Sequence, residues 1–388
     1  MRENPELPFA LGEYRARLQQ VQRAIASRGI DASIISVPEN INYLTGFTTT
    51  GYYMYQALIV PAHGEPLFIT YLEEKINIIR RSWLEEYRTY SVVEDPITVT
   101  VKALKEMGLD NKVIGLEETG YFFQIATYKA LIAELPDVKW ANGGDIVEQV
   151  RLIKSPAEID YLRKAAQAAM VGMGSAIETV EPGKTENDVA GEIYRATIAA
   201  GSEYPGSPPY VVSGERSGLP HGTWEGRELR DGDIVFLEHA GCVRRYSAAM
   251  MRTCFIGTPP DVVRRTADIL LEGLDKAIAT IRPGVTSGEV DAACRKTVTD
   301  AGFDEYTHET GYSIGLAYPP GWNESHIMNL HPGDPTVLQP NMVFHLVPSL
   351  IIHEMQGHVG FSDTVLVTES GCEVLTNRDV ERKLYVLK

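Results

Sequence analysis

The chain has 388 residues, 44% of them hydrophobic and 23% charged, which is enough material for two domains with sizeable cores. Its 36 Lys and Arg face 52 Asp and Glu, a net charge of -16 that excludes binding of nucleic acid through phosphate contacts. The four cysteines are scattered without CxxC pairing and read as free thiols of a reducing cytoplasm. The N-terminus carries no signal pattern, and no apolar run approaches the roughly 18 residues of a membrane span. The expectation is a cytoplasmic protein that meets neither membrane nor nucleic acid.

Helix and strand signals alternate first. Tyr14, Leu18, Val21 and Ile25 mark one helical face, which Gly29 ends. "ASIISV" (32–37) reads as a buried strand, and "ALIVP" and "PLFIT" as two more joined by the turn "AHGE". "VIGLEE" (113–118) precedes the helical "YFFQIATYKALIAEL". The alternation predicts a mixed α/β domain over residues 1–150.

A second domain, 151–388, is expected to begin at "RLIKSPAEI". Ser155, Pro156 and Glu158 form a helix start, with the helix running to about Thr179. A weak internal repeat follows: "VEPGKTENDVAGEIYRATIAAG" (180–201) parallels "IRPGVTSGEVDAACRKTVTDAG" (281–302). Thr185/Asp188 and Thr286/Glu289 are capping-box-like pairs, the aspartate being the weaker partner. Downstream, 229–240 parallels 338–349 and 246–257 parallels 359–371, each a strand and its return. Two halves of helices followed by hairpin strands predict a pseudo-twofold domain curved around a pocket.

Several segments together resemble the creatinase/prolidase/methionine-aminopeptidase family and its pita-bread fold: "PENINYLTGF" (38–47), "RLIKSPAEI", "DGDIVFL", "GYSIGL" and "NMVFHLVP". The resemblance covers nearly the whole chain. It implies an N-terminal creatinase-like domain, a pita-bread catalytic domain and a homodimer. The family's peptidases hold two metal ions with two Asp, one His and two Glu. Carried over by position, these ligands fall at Glu238, Ala249, Tyr312, Val347 and Ser362, so that one carboxylate survives. Catalytic metal sites keep at least three protein ligands, so the expectation is no metal and no other cofactor. "HEMQGH" (353–358) comes close to HExxH, but its histidines are five apart and Gly357 opposes a helix.

Among metal-free members, creatinase keeps carboxylates near the positions of Met251 and Val347, which this chain lacks. The ectoine-hydrolase branch is closer. It shares Glu238 followed by Ala240-Gly241, "PHGTW" (220–224), "GY.IG..YPP.W" (311–322), "FH..P.L" (344–350) and "TESGCE" (368–373). The chain departs from that branch at "TTTGYYMYQ" (48–56) and in a shorter loop before His221. The resemblance implies hydrolysis of a C–N bond in a small zwitterionic cyclic amidine, whose protonated carbon is already electrophilic.

In that reading Glu238 is the base or nucleophile and His221 the proton shuttle. His345, Tyr312, Tyr52 and Arg252 are candidates for substrate binding. The plainer alternatives are a Glu238 ion pair with Arg252 or Arg244, a turn-capping His221, a core His345 and a space-filling Tyr312. His239 is expected on the face opposite Glu238. Competing functions are a creatinase-like amidinohydrolase, a non-catalytic binding protein and an Xaa-Pro metallopeptidase.

Overall fold

A computed structural model describes residue 4 and residues 6–303 and 306–388. The chain divides into two compact units, Met1–Arg151 and Leu152–Lys388. No helix of the described residues is long and apolar enough to cross a membrane.

In the first unit, helix α1 (Leu11–Ser27) precedes strand β1 (Ala32–Ile35), α2 (Pro38–Thr45), β2 (Ala57–Pro61), β3 (Leu67–Tyr71), α3 (Lys75–Arg81) and β4 (Tyr87–Tyr90). Then come α4 (Pro96–Glu106), β5 (Val113–Leu116), α5 (Ile125–Glu134), β6 (Lys139–Asn142) and α6 (Ile146–Arg151). The six strands form one mixed sheet in the order β4-β3-β2-β1-β5-β6. Tyr14, Leu18, Val21 and Ile25 are all buried, as the helical spacing predicts. The stretch after β5 departs from expectation: the helix expected from Tyr121 starts at Ile125, and Tyr121 is exposed.

The second unit opens with α7 (Pro156–Thr179) and α8 (Glu186–Ala199), followed by strands β7 (Tyr210–Ser213), β8 (Ile234–Val243) and β9 (Tyr246–Ile256). It repeats the plan with α9 (Asp261–Thr280), α10 (Ser287–Asp300), β10 (Gly311–Ser313), β11 (Asn329–Leu330) and β12 (Val343–Leu346). It ends with β13 (Ser349–Ile352), β14 (Gly357–Gly360), β15 (Asp363–Val367), β16 (Cys372–Val374) and β17 (Tyr385–Leu387). Helix α7 starts in a full capping box, Ser155 N–H donating to Glu158 at 2.9 Å. The two repeat helices start alike, and the aspartate box is as well formed as the glutamate box: Thr185 N to Asp188 is 2.8 Å and Thr286 N to Glu289 is 2.7 Å.

The first half's hairpin pairs β8 with β9 from Ile234↔Phe255 to Val243↔Tyr246. In the second half, β12 pairs with β15, and the return strand starts at Asp363 rather than 359. The difference is an inserted hairpin, β13 with β14, whose last residue Gly360 lies within reach of Phe236 and Met251. A bridge between Met251 and Ser362 joins the two halves. All four cysteines are free thiols.

Where β8 crosses α7 the backbones nearly touch: a Cβ at Gly241 would sit 2.1 Å from the Ala165 carbonyl oxygen. Gly241→Ala is therefore expected to cost about 1–3 kcal/mol through overpacking, read as a lower melting temperature by differential scanning calorimetry.

Candidate active site

Strand alternation on β8 sends Phe236 and Glu238 to one face, Leu237 and His239 to the other. Leu237 joins the core that α7 and α8 form with the sheet, and His239 packs on α7 at Gly172. The opposite face opens into a cavity of about 1380 Å³. Glu238 lies at its wall, 8% exposed, with Tyr210 beside it on β7 and Met251 on β9. Val212, Phe236, Met251 and Val347 make an apolar cluster there, flanked by Tyr210 and Tyr312.

The electrostatic consequence is direct. Among the described residues no side chain hydrogen-bonds or ion-pairs with the Glu238 carboxyl, and burial alone raises its pKa to about 8. The ion pair with Arg252 or Arg244 does not form. Arg252 is a correction to the expected substrate ligand. It is fully buried, ion-paired with Asp363 at 3.0 Å, and its other donors go to the carbonyls of Met251, Ser362, Val380 and Glu381. With its donors consumed by backbone and Asp363, it ties the end of the chain to β9.

His221 lines the same cavity as Glu238. It sits exposed in a left-handed backbone conformation (φ 56°), its ring 5.7 Å from that of Tyr210. Tyr312 also lines the cavity, and Trp322 Nε1–H donates to its hydroxyl at 3.1 Å. His345 shares the face of Tyr312, its direct cross-strand partner, but lies behind it and not on the cavity wall. Both its ring nitrogens are engaged, Nδ1 with Tyr312 Oη at 2.8 Å and Nε2 with Ser362 Oγ at 2.6 Å. The ring is fully buried and its pKa falls to about 3, through burial first, then the charges of Arg252 and His308. Tyr52 belongs to the first unit, where its ring meets Phe122 edge-on at 5.4 Å.

His358 was not anticipated as a site residue. It lines the cavity, stacked on Phe236 with 4.3 Å between ring centres and 8° between planes. Burial lowers its pKa to about 4, with smaller contributions from the neighbouring His308 and His221. His353 and His358 occupy a 3-10 turn and a strand, not one helix. The signal that identifies Phe236 was available, since parity along β8 puts it on the face of Glu238.

A dinuclear metal centre does not fit the side chains at this site. The positions that would hold it carry one carboxylate, a phenol, a hydroxyl, an alanine and a valine. Among the described residues no three His, Cys, Asp or Glu side chains converge as a metal site would require.

Residues 160–369 match the metallopeptidase family M24, and residues 17–153 match the creatinase/prolidase N-terminal domain. The chain belongs to the creatinase/prolidase (M24) family, a mixed α/β N-terminal domain followed by a pita-bread domain. Among its relatives, the ectoine hydrolase of Halomonas elongata is 34% identical, with 98% of each chain aligned. The Xaa-Pro dipeptidase of Pyrococcus furiosus is 28% identical over 95% of this chain and 99% of its own. Dipeptidase PepE from Mycobacterium ulcerans superposes with a TM-score of 0.85 at 28% identity, covering 98% of this chain and 99% of that one.

Proposed function

We propose that the chain is a metal-independent hydrolase that opens the ring of a small cyclic amidine, with ectoine as substrate and an N-acetyl-diaminobutyrate as product. The observation that carries this reading is Glu238: a carboxyl group buried without a partner in an aromatic cavity, where four other family ligand positions offer no carboxylate or imidazole. The full-length similarity to an ectoine hydrolase supports the choice of substrate.

The chemistry follows from charge. An entering amidinium supplies the positive partner that Glu238 lacks, and favours its ionised form. The carboxylate takes a proton from water as the water oxygen bonds to the amidine carbon, giving a tetrahedral adduct. A ring C–N bond then breaks, its electron pair leaves with nitrogen, and that nitrogen receives the proton from Glu238 directly or by way of His221. The hydroxyl proton of the adduct returns to the Glu238 carboxylate as the amide carbonyl forms, and passes from there to the released amine, which leaves as an ammonium. Tyr210, Phe236 and Trp322 line the cavity, and a cation set over an aromatic face there would gain about 0.5–2 kcal/mol.

The test is turnover by protein dialysed against a strong chelator and checked by elemental analysis. Ectoine is expected to gain one water by mass spectrometry, with a rate unchanged by added manganese, zinc or cobalt. The rate constant kcat/KM is expected to rise with pH through about 8, because the free enzyme must ionise Glu238. The Xaa-Pro dipeptidases among the relatives favour a second reading, metallopeptidase activity. Inert chelated protein that regains cleavage of an Xaa-Pro dipeptide on adding metal would establish that reading instead.

A further inference from the structure

Four side chains, two on the cavity wall and two behind it, form a continuous chain of hydrogen bonds. Trp322 Nε1–H donates to Tyr312 Oη at 3.1 Å, Tyr312 Oη meets His345 Nδ1 at 2.8 Å, and His345 Nε2 meets Ser362 Oγ at 2.6 Å. His345 and Ser362 are fully buried, whereas Tyr312 and Trp322 line the cavity.

A neutral imidazole carries one N–H, so the chain has two possible proton arrangements. In the first, Tyr312 O–H donates to Nδ1 and Nε2–H donates to Ser362 Oγ. The Ser362 hydroxyl proton is then buried with no acceptor among the described residues, an arrangement native interiors avoid. In the second, Ser362 O–H donates to Nε2 and Nδ1–H donates to Tyr312 Oη. Every buried proton then has a partner. Tyr312 Oη accepts from both Trp322 and His345, and its own proton has only the cavity left to point to.

We infer that His345 and Ser362 are positioning residues that hold Tyr312 as a hydrogen-bond donor into the cavity, and that the substrate atom it meets is an acceptor oxygen, either a carboxylate or the carbonyl formed in the reaction. Burial keeps this phenol protonated, its pKa standing well above the usual 10. The cavity is thereby polarised: Glu238 faces the cationic part of the bound molecule and Tyr312 an oxygen. The proton arrangement is independent of the proposed reaction, whereas the substrate contact rests on it.

The decisive measurement is the tautomer of His345 in the full-length protein without substrate, read from ring 15N shifts after selective histidine labelling. The chain has nine histidines, and the His345 signals are those missing from His345→Asn. A protonated Nδ1 with a bare Nε2 is expected. A protonated Nε2, or an imidazolium, overturns the inference. Kinetics provide the second test. Tyr312→Phe is expected to lose about 10-fold or more in kcat/KM. The loss falls in KM if the oxygen is a substrate carboxylate and in kcat if it is the nascent carbonyl. His345→Ala is expected to share that loss, and His345→Asn, which keeps a donor where Nδ1 stood, to recover most of it. Activity of Tyr312→Phe within about 2-fold of the parent would overturn the donor role. Failure of the proposed reaction would leave the tautomer measurement standing, so the two failures are distinguishable.

Discussion

Glu238→Gln is expected to lower turnover by about 10³-fold or more, the loss that follows removal of a group acting as base or nucleophile. The substitution has a second signature that a damaged fold would not give. The carboxyl titrates near about 8 in the folded chain, against a reference value of 4.5 when solvated. Between those values the folded state holds a proton that the unfolded state has released, so native stability falls as pH rises through this window. Below 4.5 both states are protonated and the penalty vanishes. Glutamine carries no charge at any of these pH values. The variant is therefore expected to melt above the parent at pH 8, with the difference closing on acidification towards 4.5. Thermal melts across pH check this, and a variant less stable at every pH would contradict the isolated, buried carboxyl.

Arg252→Met is expected to act on stability, not on substrate affinity. It removes one of the two arginine partners of Asp363 and strands the carbonyls of Met251, Ser362, Val380 and Glu381. Breaking a buried pair of this kind costs about 3–5 kcal/mol. For a unit of this size that corresponds to a drop of about 10 °C in melting temperature. Asp363 keeps Arg382 at 3.2 Å and the Thr376 hydroxyl at 2.8 Å, so the residual fold is still measurable. A stable variant with raised KM would return Arg252 to the substrate.

These two residues show what could be read from the sequence. Glu238 was legible because it falls where the resembled family places a pocket ligand, and strand parity then turns His239 to the opposite face. The repeat was legible because a capping box is local, closed by residues three apart, as at Thr185/Asp188 and Thr286/Glu289. Arg252 was not, because its partners lie at Ser362, Asp363 and near Val380, more than a hundred residues away. A cation near a pocket reads as a ligand until its acceptors are seen. His345 illustrates the limit of parity: the face was legible, but the depth was set by Tyr312 on the neighbouring strand. The hairpin that carries His358 over Phe236 left no periodic signal, since β13 and β14 are four residues each around a 3-10 turn.

The split between the two hairpins has a consequence for how such a pocket can change. A shared ion binds ligands from both halves into one coordination shell, so neither half can be altered alone. Here the first half carries the carboxyl group, on Glu238, and the second carries the phenol and indole, on Tyr312 and Trp322. Each can drift by single substitutions while the other stays in place. The two faces of the pocket are therefore set by different hairpins of the fold.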